Sequence, residues 1–106
     1  MSTTLQELAT LDRVIHEPAR LMIMTVLYAV SEADFIYLQN ECGLTQGNLS
    51  SHLARLEEEG YVLVVKTFKG KYPLTICSLA QKGRIAFEEY ARVMRAAIQG
   101  PARGKL

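Results

Sequence analysis

The segment Leu44-Thr45-Gln46-Gly47-Asn48-Leu49-Ser50-Ser51-His52-Leu53-Ala54-Arg55 gathers hydrogen-bonding side chains that are short or planar. Leu49, Leu53 and Leu56 recur at helical spacing and mark a buried stripe. At about 100° per residue the opposite face shows Gly47, Ser51, Ala54 and Arg55, with Asn48 and Ser50 flanking it and Gln46 at the N-terminal tip. Amides pair bidentately with adenine, a guanidinium with guanine, and hydroxyls with bases or phosphates; a helix with small side chains between them fits a groove roughly 12 Å wide. Thr45 is placed as an N-cap, with Leu44 and Leu49 as a hydrophobic staple, so the helix is expected over about 45–59. Its first two turns carry no Lys or Glu, as a solvated helix usually would; Glu57, Glu58 and Glu59 come only where it would leave a groove.

A second cluster is cationic. Tyr61 to Phe68 and Tyr72 to Leu79 are rich in β-branched and aromatic residues, which predicts a hairpin turning at Lys69-Gly70-Lys71. Lys66, Lys69 and Lys71 are expected to alternate outward, and Gly70 to allow the sharp turn. Over residues 66–75 such a tip reaches phosphates or a narrow minor groove. Catalytic chemistry finds no support: His16 and His52 suggest no Ser-His-Asp or Cys-His arrangement, no phosphate-cradling glycine loop is followed by a lysine, and no paired His motif would hold zinc. Catalytic residues, metal and cofactor are therefore all expected to be none. His52 sits near the buried edge of its helix, where packing or a phosphate contact fits better than catalysis. Cys42 and Cys77 have no metal-ligand spacing and read as buried, reduced small hydrophobes.

These residues need elements to hold them. The 106 residues make one domain, expected to span residues 1–106, and the net charge is only +1. The distribution is uneven. Up to Gly43 the cations are Arg13 and Arg20 against six acids, whereas from Leu44 onward cations outnumber acids, which suggests one face built for a polyanion. The longest apolar run, Leu21 to Val30, is too short to span a bilayer, and the first residues lack the order of a signal peptide, so a cytoplasmic protein without membrane contact is expected. Leu5, Leu8, Leu11, Val14 and Ile15 predict a helix over 4–15; Pro18 opens a second, apolar on most sides and ending near Ser31. A minimal strand over 33–37 and a short helix over 38–42 follow, with Gly43 as the exit. A long helix over 81–99 and a frayed basic tail over 100–106 close the chain. The fold class is mainly α with a small β-hairpin (α+β). Two short helices joined by a glycine turn and followed by a basic-tipped hairpin describe a winged helix-turn-helix.

The sequence resembles the MarR/ArsR-like winged-helix regulators from about Leu11 to Met94. The resemblance rests on Glu17-Pro18-Ala19-Arg20-Leu21, on Gly43 to Leu53 and on Leu56-Glu57-Glu58-Glu59-Gly60-Tyr61-Val62, with support from Lys66 to Lys71, Pro73, Thr75 and Leu79 to Arg84. It implies that the helix from Thr45 to Arg55 reads the major groove of double-stranded DNA, that the hairpin is the wing, and that terminal helices form a homodimer. The dimer residues expected are Leu5, Leu8, Leu11, Ile15, Tyr90, Met94, Ala97 and Ile98, on apolar stripes that one small core would not absorb. Two departures stand out. Ala80 occupies a position where the family often has a capping Thr, and Asp34 and Ile36 stand about where the metal-sensing branch has cysteines. The expected function is sequence-specific transcription regulation; the effector is unknown. The alternatives are a winged helix used as a protein-interaction module, and a ligand- or redox-responsive switch.

Overall fold

The computed structural model describes residues 4–103. A 3-10 turn at Gln6–Thr10 is followed by α1 (Pro18–Val30), β1 (Glu32–Asp34), α2 (Phe35–Cys42), α3 (Gln46–Glu58), β2 (Val62–Lys69), β3 (Tyr72–Leu79) and α4 (Gln81–Arg103). The strands form one antiparallel sheet in the order β1-β3-β2. Ile23, Met24 and Leu27 make α1 the central helix, fully buried with Leu38 of α2, Leu49 and Leu56 of α3, and Val62 and Cys77 of the sheet. Burying such side chains contributes roughly 1.5–3 kcal/mol each, so this seam fixes how α3 is rotated. Among the described residues no helix is long and apolar enough to cross a membrane.

Three boundaries differ from the sequence reading. The helix expected over 4–15 is only the turn at Gln6–Thr10. Leu11 turns extended, and Asp12 Oδ1 then accepts the amides of Val14 (2.9 Å) and Ile15 (3.2 Å). That local carboxylate turn competes with helix and wins. Glu17, held extended before Pro18, uses its side chain to cap α1 at the Arg20 amide, 2.8 Å away. The strand expected at 33–37 is Glu32–Asp34, and α2 starts at Phe35 because the Asp34 carboxylate accepts the Tyr37 amide at 2.8 Å. Finally, α4 continues to Arg103, so the tail expected to fray is helical that far; residues 104–106 lie outside the described residues. Gly100 and Pro101 lower helix propensity without ending the helix.

Tyr61 joins the parts. Its amide donates to Leu56 O at 2.9 Å, ending α3, and its carbonyl accepts the Ala80 amide at 2.9 Å, just before α4. Its hydroxyl donates to the Asp12 carboxylate and its ring lies under the Lys82 ammonium, 5.7 Å from the centroid. The start of α4 is thereby held by backbone through Ala80. Gly83 makes this contact possible: a Cβ there would lie 2.1 Å from Tyr61 O. Neither atom can swing aside, because the carbonyl is backbone and a Cβ is fixed rigidly to backbone. Gly83→Ala is therefore expected to destabilise the protein by about 3 kcal/mol, near the upper end for overpacking. Urea unfolding measures this, and an unchanged midpoint would contradict the close approach.

Candidate nucleic-acid interface

The leucine seam turns the opposite side of α3 outward. Leu49, Leu53 and Leu56 are buried, while Thr45, Gln46, Gly47, Asn48, Ser50, Ser51, Ala54 and Arg55 are all exposed. Thr45 Oγ1 accepts the Asn48 amide at 3.1 Å, fixing the first turn. Arg55 is half-exposed and donates to Glu59 at 3.2 Å, with Glu58 at 3.6 Å. Exposed ion pairs of this kind contribute at most about 1 kcal/mol, so a guanine edge or a phosphate can displace the glutamates.

Between α3 and the sheet lies an open cleft of about 310 Å³. Gln46, Ser50, Ala54 and Glu57 form its helical wall, and Val64, Lys66 and Thr75 its sheet wall, with Phe35 of α2 also lining it. Phe35 was not among the expected site residues, and Thr75 entered only with the resemblance and as the end of the wing range 66–75, without a place beside α3. Thr75 was within reach, because it follows from the hairpin register in which Lys66 pairs with Thr75. Phe35 was not, because α2 was expected to begin later.

The wing turn is built as expected but its lysines are arranged differently. Lys69 pairs with Tyr72 across a two-residue turn whose first residue, Gly70, has φ +64°. This positive φ at the first turn position favours glycine and matches the twist of the strands. Lys66 and Lys69 are an odd number of residues apart on one strand, so they face opposite sides of the sheet rather than alternating outward together. Lys66 lines the cleft with α3, whereas Lys69 is on the reverse face and Lys71 is in the turn. The basic second half of the chain is likewise not one face. On α4, Arg92 pairs with Glu89 at 2.8 Å and with Glu7 at 3.8 Å, while Arg84 lies over the Tyr28 ring at 5.0 Å.

On the other flank of α3, Arg20 acts as a clasp. Its Nε donates to Val14 O at 2.5 Å, Nη2 to Arg13 O at 3.5 Å, and Nη1 reaches His52 Nδ1 at 3.2 Å. The same nitrogen lies 3.8 Å from Glu17 Oε1, so the ring sits against both Arg20 and Glu17. His52 thus packs between α1 and α3.

The expected dimer residues divide. Ile15 is fully buried, and Leu11, Tyr90 and Ala97 are nearly so, within the chain's own packing. The N-terminal turn folds back along α4, so these residues have little or no surface left for a second copy. Leu5 and Ile98 remain exposed, Leu8 and Met94 half-buried. Ile98 and Met94 border an open apolar groove of about 440 Å³ along α4, with Phe87 and Ala91.

The two cysteines are buried and unbonded to each other. Burial pushes both thiols up, Cys77 to about 11. Among the described residues no group of His, Cys, Asp or Glu is arranged to hold a metal ion.

A sheet-backed helix-turn-helix with a projecting hairpin defines a winged-helix protein. Residues 19–98 match the model of the winged helix DNA-binding domain family, and the chain belongs to that family, whose members are DNA-binding regulators rather than enzymes. It is similar to an uncharacterized protein of Methanocaldococcus jannaschii, 38% identical over 79 residues, covering 74% of this chain and 85% of that protein. The structure of a transcriptional regulator homologue from Pyrococcus horikoshii OT3 superposes with a TM-score of 0.84 at 29% identity, over 93% of this chain and 97% of that one. A MarR-family transcriptional regulator from Enterococcus faecalis V583 shares the fold, with a TM-score of 0.74 at 19% identity over 92% and 91% of the two chains. The architecture is that of a MarR-like winged helix.

The buried thiols carry a testable consequence. A Cys77 thiol that ionises near 11 in the fold, against 9.0 ordinarily, favours folding fully below pH 9. That contribution is lost as pH rises from about 9 through about 11, because the unfolded chain gains the thiolate first. Tyr61, pushed up by burial and by the Asp12 carboxylate, acts in the same direction. The folded protein is expected to resist iodoacetamide at pH 8, since the thiolate is the nucleophile, and its urea midpoint is expected to fall across pH 9–11. Rapid alkylation at pH 8 or a flat midpoint would contradict buried thiols.

Proposed function

We propose that this protein is a sequence-specific duplex-DNA-binding transcription regulator that acts as a homodimer. Its α3 enters the major groove, and the wing lies on the backbone or the adjacent minor groove. The observation that carries the reading is that Thr45, Gln46, Gly47, Asn48, Ser50, Ser51 and Arg55 are all exposed on a helix whose leucines are fully engaged below. Small and planar polar groups can approach base edges there, and the cleft on one side leads to Lys66 and the wing. Lys69, Gly70 and Lys71 at the tip extend the contact along the phosphates.

Homodimerisation is supported by the apolar groove on α4 and by the exposed Leu5 and Ile98. A domain this small contacts one short half-site, and a two-fold pair doubles the readout. Leu8 and Met94 would contribute at the edges of such an interface. Leu11, Ile15, Tyr90 and Ala97 are buried beneath it in the chain's own packing.

Fluorescence anisotropy of the protein on DNA from its own upstream region, beside a scrambled duplex and at two salt concentrations, tests this function. A preference for the natural DNA that weakens steeply with salt is expected. Arg55→Ala should reduce that preference by about 1–3 kcal/mol. Lys71→Ala should weaken all duplexes and lower the salt slope by about 0.9 for each half-site, roughly 1.8 for the dimer. No binding even at low salt would overturn the proposal in favour of a protein-interaction module.

A further inference from the structure

The wing ends in apolar surface that the fold does not use. On the side of the sheet facing α3, side chains pair in rungs from base to tip: Val64 with Cys77, Lys66 with Thr75, and Phe68 with Pro73. Burial falls along that face, from the fully buried Val62 and Cys77 at its base to Phe68, which is 69% exposed. Pro73 is exposed behind it. A phenyl ring so placed adds almost nothing to the core, although Val64 and Val62 on the same face are drawn into it.

The surroundings of the ring narrow what it meets. Lys66 stands on the same face, Lys69 on the reverse and Lys71 in the turn, and the chain from Tyr61 to Ala80 contains no Asp or Glu. The occupant must therefore carry closely spaced negative charge and also present an apolar slot to a flat side chain. The minor groove of duplex DNA offers both, with phosphates on its rims and base steps between them.

We propose that Phe68, backed by Pro73, is a wedge that presses into the minor groove beside the α3 site, while the lysines hold the rims. This rests on the DNA-binding reading above and deepens it. An aromatic wedge partly unstacks a base step and bends the duplex, and pyrimidine–purine steps yield most easily. The protein then has a sequence preference at the flank of its site without a hydrogen bond to any base there.

The test compares the full-length wild type with Phe68→Ala, Phe68→Leu and Lys69→Ala. Each is titrated onto duplexes carrying a TA or a GC step at the flank, with end-labelled DNA reporting the bend by energy transfer. Phe68→Ala is expected to keep the wild-type melting curve and salt slope but to lose roughly tenfold in affinity, the bend and the TA preference. Phe68→Leu should retain most of the bend, and Lys69→Ala should lower the salt slope while leaving the bend intact. If Phe68→Ala bends and discriminates like the wild type, the wedge is overturned and the DNA-binding reading stands. If affinity falls without change in bend or step preference, the wedge is also overturned, and Phe68 is only a surface contact. A wild type that binds no duplex overturns both readings.

Discussion

Tyr61 is the point through which the other elements are fixed. Its backbone closes α3 through Leu56 O and receives the Ala80 amide before α4, and its hydroxyl holds Asp12. Asp12 in turn accepts the Val14 and Ile15 amides, so the same residue shapes the N-terminal segment. The close approach of Gly83 brings α4 down onto this backbone. Helix, wing and terminal segments thus share one junction, and the directions in which α3 and β2 leave it set the width of the cleft between them.

From that junction the exposed face of α3 follows by subtraction. Three leucines are committed to α1 and the sheet, the Arg20 clasp takes His52, and what remains outside is small and polar. The wing follows from period-two geometry, which sends Lys66 into the cleft and Lys69 to the reverse. On α4, Arg92 is engaged locally with Glu89 and Glu7, and Arg84 with Tyr28. A nearly neutral chain can therefore still concentrate positive charge, on the wing, where acids are absent from the sequence.

Much of this was legible in the sequence because it depends on local spacing. The capped α3, with Thr45 at its start, follows from a three-leucine stripe and a hydroxyl in the right place, and the hairpin from a glycine turn between two β-rich runs. What could not be read depends on contacts between distant residues. Nothing near Gly83 in sequence announces that its Cα meets the Tyr61 carbonyl, and the apolar spacing of Leu5 to Ile15 imitates a helix until Asp12 takes two amides for itself. The same stripe looked available to a second copy, yet Ile15 is spent on this chain's own core. The opposite orientations of Lys66 and Lys69, by contrast, follow from the strand period alone.

Dimethyl sulfate footprinting of the protein on its preferred duplex probes the central claim most directly, because the reagent marks guanine N7 in the major groove and adenine N3 in the minor groove of one sample. The expected result is two major-groove patches of protection about 10 base pairs apart, one for each α3 of a dimer, with altered adenine reactivity in the minor groove beside each. A single major-groove patch would contradict the dimer, and a pattern with no major-groove protection would contradict the placement of α3.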